Sequence, residues 1–184
     1  MASSRTVLGP LALGLLAVTA LLTAAPAVDA KERLNWDYAG YDKLAALFDS
    51  EAGPLYGEKE DRRRYLLRFV VEGESLEEWT EILELVSTWR KHEPDNVQLW
   101  LERFQAQGDE TCPSEWTIID EQVDSILFRR TAKNCQGFED QDALYRVVYG
   151  RKKVFVLFAT IKGEMDEVSR DGWLTVLRSA EMRY

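Results

Sequence analysis

The amino-acid sequence predicts an α+β fold, a mainly antiparallel β-sheet with a middle and a C-terminal helix packed on it. Three observations carry the prediction. Residues 63–71 alternate between two faces, as a strand does. Two apolar runs, 143–149 and 153–161, flank Gly150-Arg151, which reads as the tight turn of a hairpin. Segments 94–108 and 166–182 instead repeat their apolar residues at helical spacing.

Taken in order, residues 31–61 begin with Trp36 and Tyr38, which could start a strand. Tyr41, Leu44, Ala45 and Phe48 then fit one face of a short helix, and Gly53-Pro54 and Gly57 mark loop. Across 63–71, Tyr65, Leu67, Phe69 and Val71 share one face; Arg64, Leu66, Arg68 and Val70 share the other. Ser75 and Glu78 have capping-box spacing, which predicts one helical turn. Residues 79–89 satisfy both periods, and a strand following a short turn is the preferred reading. Pro94-Asp95 opens the middle helix, Val97, Trp100, Leu101 and Phe104 line it, and Gly108 is expected to end it. Strands at 116–121 and 125–132 precede the hairpin. In the last helix Val168, Trp173, Val176 and Leu177 form the apolar side, while Gly172 lowers its propensity.

The chain of 184 residues has room for one domain besides a targeting segment. Residues 1–30 read as a secretory signal peptide: Arg5, an apolar stretch at 7–23, then the small-residue sites Ala25-Pro26-Ala27 and Val28-Asp29-Ala30. Cleavage after Ala30 is preferred to Ala27, leaving residues 31–184 as a single α+β domain. The rival is an uncleaved anchor at 7–28, against which Pro10, Pro26 and the tandem sites argue. No cysteine for lipid attachment and no twin arginine are present there. Periplasmic or secreted localisation follows, with no stable membrane span after cleavage.

Removing the leader takes one arginine and one aspartate, so the formal charge stays at −9. Nucleic-acid binders need clustered lysine and arginine, so nucleic acid is not an expected partner. Cys112 and Cys135 are the two cysteines, and in an oxidising compartment they are expected to form a disulfide. Their spacing matches neither a C-x-x-C dithiol nor a zinc site.

The segment Val71-Glu72-Gly73-Glu74-Ser75-Leu76-Glu77-Glu78-Trp79-Thr80 resembles a stretch of small, uncharacterised bacterial exported proteins. In these a G-E-x-x-x-x-W-T run precedes a strand, and a helix follows. The order of elements is similar to the PsbP/Mog1-type α/β sandwich. That resemblance implies architecture and a binding or assembly role, and carries no catalytic motif.

Chemistry has few places to reside. His92 is the single histidine, which excludes multi-histidine metal sites, and it reads as an exposed loop residue. Ser75 lacks the second glycine of a nucleophile elbow. The acidic groups Glu72, Glu74, Glu77, Glu78 and Asp120, Glu121, Asp124 read as solvated rims. Of the six tryptophans, at least four are expected in the core, with Trp36 and Trp79 as the candidate ligand contacts. No catalytic residue, metal ligand or cofactor is assigned. The leading expectation is an exported, non-enzymatic binding or assembly module of the bacterial envelope, taking a protein or small-molecule ligand. The alternatives are a small carboxylate-dependent hydrolase or carbohydrate-active protein, and an acidic partner that neutralises a basic protein.

Overall fold

In the computed structural model, residues 32–184 are described apart from 136 and 138. The signal-peptide reading of 1–30 therefore lies outside the described residues. The domain is α+β. Its strands are β1 (Arg33–Asn35), β2 (Leu55–Glu60), β3 (Arg64–Gly73), β4 (Trp79–Trp89), β5 (Ser114–Gln122), β6 (Ser125–Ala132), β7 (Gln141–Tyr149), β8 (Lys153–Lys162) and β9 (Glu181–Arg183). Its helices are α1 (Asp42–Asp49), α2 (Val97–Thr111) and α3 (Glu167–Arg178). Among the described residues no helix is long and apolar enough to cross a membrane.

Seven strands form one antiparallel sheet in the order β2-β3-β4-β8-β7-β6-β5, and β1 pairs with β9 in a second, small sheet. The long strands β4, β7 and β8 lie centrally and are apolar on both faces, so helices cover both. On one face Leu83, Leu127, Leu144, Leu157 and Ala159 meet Leu44 of α1 and Trp173, Val176 and Leu177 of α3. On the other, Val86, Ile126, Phe128, Tyr145, Val147 and Val156 meet Val97, Trp100 and Leu101 of α2. Each strand feeds both cores because successive side chains point to opposite faces.

The β7–β8 hairpin and β3 match the sequence reading closely, and 79–89 is a strand throughout. Other boundaries shift for identifiable reasons. The Ser75 hydroxyl does accept from Glu77 N at 3.2 Å and Glu78 N at 3.0 Å, but no helix follows. The chain is turning between β3 and β4, and Gly73, at φ 141°, makes the bulge; a Cβ there would press on the Trp79 backbone. Strand β1 ends at Asn35, before Trp36 and Tyr38, and β2 runs through the Gly57 expected in a loop. Helix α2 opens at Val97, where Asn96 Oδ1 accepts from Leu99 N at 2.9 Å. It passes Gly108 and stops at Thr111, with Cys112 N donating to Gly108 O.

Helix α3 is shorter than expected. It ends at Arg178 so that β9 can turn back onto β1, and Val168 points to solvent rather than to the core. Gly172 has a packing role, since a Cβ there would collide with the Tyr41 ring. Cys112 and Cys135 form a disulfide, with Cα atoms 5.0 Å apart, tying the exit of α2 to the segment after β6.

Candidate functional site

The two faces of the sheet carry different chemistry. Beneath α1 and α3, Glu81 sits on β4 on the same face as Leu83 and Leu85 and is 2% exposed. An isolated carboxylate there would be very costly, so it is surrounded by donors. Tyr41 OH donates to Glu81 Oε1 at 2.8 Å, Trp173 Nε1 donates to the same oxygen at 2.6 Å, and Lys43 Nζ reaches Oε2 at 3.1 Å. Lys43 also pairs with Glu72, which raises its pKa, as does the contact with Glu81. Burial pushes the Tyr41 hydroxyl up to about 12, opposed by Ser169 and reinforced by Glu81.

A shallow pocket of about 270 Å³ lies outside this cluster, lined among others by Tyr41, Asp42, Lys43, Asp166 and Ser169. Its polar groups are already engaged. Asp166 caps α3, accepting from Ser169 N at 2.8 Å and from Ser169 Oγ at 3.0 Å, which holds its carboxyl below the usual range. The arrangement joins α1 and α3 to the sheet and presents no activated nucleophile.

The opposite face has a larger opening. A groove of about 370 Å³ runs between α2 and the sheet. Trp100, Arg103, Phe104 and Gln107 come from the α2 side, and Arg64, Val86, Thr88, Tyr145, Val156 and Phe158 from the strands, with Glu93 at one end. The helix supplies its wall through i, i+3, i+4 and i+7 spacing, which aligns these four residues on one face. The strand residues converge through register. Phe128 pairs with Tyr145 and Tyr145 with Phe158, so three rings from adjacent strands stack 5.0 Å apart. One step along, Val156 pairs with Val86, and beyond them Thr88 pairs with Arg64. Trp100 and Phe104 stack at 4.9 Å on the helix side.

The rim is cationic although the chain is acidic. Arg103 is ion-paired with Glu93. Arg64 uses its backbone N–H and carbonyl in the turn with Asp61, and its guanidinium has no ion pair among the described residues. The groove thus combines aromatic walls, an aliphatic floor and one free cation.

The residues singled out from the sequence lie elsewhere. Trp36 is half-buried on the α1 side, in ring contact with Tyr38, Phe48 and Phe69. Trp79 is half-buried beneath Lys162 Nζ, 5.1 Å from its ring. Trp173 is fully buried, Trp100 is buried but for a small part that lines the groove, Trp36 and Trp116 pack half-buried on the cores, and Trp89 is exposed under Lys153. His92 is exposed in a 3₁₀ turn before α2. Among the described residues no cluster of three or more metal-ligating side chains occurs.

In fold, the chain is similar to the Saccharomyces cerevisiae Ran-binding protein Mog1p. The TM-score is 0.46 and the identity 8%, over 70% of this chain and 86% of that one. A protein from Bacteroides thetaiotaomicron VPI-5482 matches with a TM-score of 0.30 and 10% identity, over 71% of this chain and 42% of that one. No protein-family model and no curated protein matches the chain. Ran binding belongs to that yeast protein.

Proposed function

We propose that this chain is an exported, non-enzymatic binding module of the bacterial envelope, and that it takes a small ligand in the groove beside α2. The observation that carries the reading is the asymmetry of the sheet. One face is closed by α1 and α3 around the fully bonded Glu81, and the other carries a groove lined by Val86, Val156, Tyr145 and Phe158 beside Trp100 and Phe104. Concave, largely apolar sites with a few placed polar groups are where small molecules bind. The cysteine pair and the leader-like composition of residues 1–30 support export.

The test starts from the full chain produced in a bacterial host and recovered from the fraction in which it accumulates. Native purification followed by denaturation releases any retained small molecule for mass spectrometry. The proposal expects accumulation in the periplasm or medium and one enriched species, lost when Thr88→Trp fills the groove. Cytosolic accumulation of the uncleaved chain contradicts export. Turnover of a substrate panel, with no species retained, contradicts the binding role.

A further inference from the structure

We infer that the groove selects a flat, apolar monoanion, an aromatic carboxylate, with the carboxylate held by Arg64; this rests on the groove being the ligand site. Shape comes from the walls. Trp100 and Phe104 on the helix and Tyr145 and Phe158 on the sheet bound a slot floored by Val86 and Val156. Rings on two sides over a β-branched floor favour a planar body, since aromatic faces and edges both gain from ring contact.

Charge selection comes from the rim. The groove lining holds two guanidiniums, Arg64 and Arg103, against one carboxylate, Glu93, in a chain whose formal charge is −9. Glu93 is already spent on Arg103, and Arg64, whose guanidinium makes no ion pair among the described residues although the Asp61 carboxylate of its own turn lies near, is left to recruit an anion. A guanidinium binds a carboxylate through two parallel N–H donors, a geometry an ammonium does not reproduce. One free cation beside a fixed Glu93 matches a single negative charge and disfavours a phosphate dianion. Register places this cation suitably: Arg64 pairs with Thr88 at the far end of the Val86–Val156 floor from Phe158. A ring seated on the floor therefore directs its acid group toward Arg64.

Calorimetric titration of the full chain with 2-naphthoate and with neutral 2-naphthamide tests this. The wild type should bind the acid roughly tenfold tighter than the amide, as a charge-assisted hydrogen-bond pair implies. Arg64→Gln should abolish that preference while leaving amide binding unchanged, and Arg64→Lys should restore part of it. Phe104→Ala should weaken both ligands. Circular dichroism checks that each variant is folded. Equal affinity for acid and amide, unmoved by Arg64→Gln, overturns the anion selection and leaves the groove as a binding site. Binding of neither compound overturns both.

Discussion

The two faces of this sheet each carry an apolar core and differ in what their polar groups do. On the α1–α3 face the buried carboxylates are bonded to protein: Glu81 accepts from Tyr41, Trp173 and Lys43, and Asp142 accepts from Arg129 and from Met165 N, while the buried Arg146 on that face keeps an Nε without a hydrogen-bond partner among the described residues. On the α2 face Arg64 lines an open slot without an ion pair among the described residues. The contrast separates polarity that specifies the fold from polarity left for a ligand. A buried carboxylate with three donors holds elements in place, while an exposed cation beside the rings that line a groove is available for recognition.

The largest expected effect tests the closed face. Glu81→Leu removes the shared acceptor: it strands the buried Trp173 N–H and takes one partner each from the Tyr41 hydroxyl, which keeps Ser169, and the Lys43 ammonium, which keeps Glu72. Leaving such partners unpaired costs about 3–5 kcal/mol, readable by urea unfolding. A loss below 1 kcal/mol would show that the cluster does not hold the face together. Next, replacing Cys112 and Cys135 by serine opens a loop spanning a separation of 23 residues. The chain-entropy model gives a loss of about 3 kcal/mol, with no change in groove binding.

Alkali should affect the closed face and the base of α2 together. Tyr41 and Tyr149 keep their protons to about 12, chiefly through burial, against an ordinary value of 10.0. Their contribution is complete below pH 10 and is lost as pH rises from 10 to 12, because the unfolded chain ionises first. Unfolding midpoints measured from pH 9 to 12 should fall in that window, and Tyr41→Phe should flatten the fall. The smallest stability effect belongs to the open face. Arg64→Gln, at an exposed strand position, should shift stability by no more than about 0.5 kcal/mol while removing the preference for the acid. Trp36→Ala and Trp79→Ala should leave groove binding unchanged.

Much of the architecture was legible in the sequence because long, half-buried strands announce themselves by alternation. Residues 65–71 and the hairpin at Gly150 are such segments. Strand β2 was not legible, since Leu55–Glu60 is an exposed edge with a glycine and three charged residues that carry no apolar period. Strand β9 is three residues long and held by its pairing with β1. Glu81 was missed although a signal existed: in a strand reading of 79–89 it shares the inward face with Leu83 and Leu85, where a carboxylate requires partners. The groove had no local signal. Its residues come from five separate elements and meet through sheet register and the placement of α2, which a single sequence does not display.

The six tryptophan indoles provide the most direct test of the division between the faces. Their N–H resonances are followed in a nitrogen-edited proton spectrum while 2-naphthoate is added. The account predicts that Trp100, in the groove wall, shifts most, and that Trp173, bonded to Glu81, stays fixed. A shift centred on Trp173 or Trp36, with Trp100 unmoved, would contradict it.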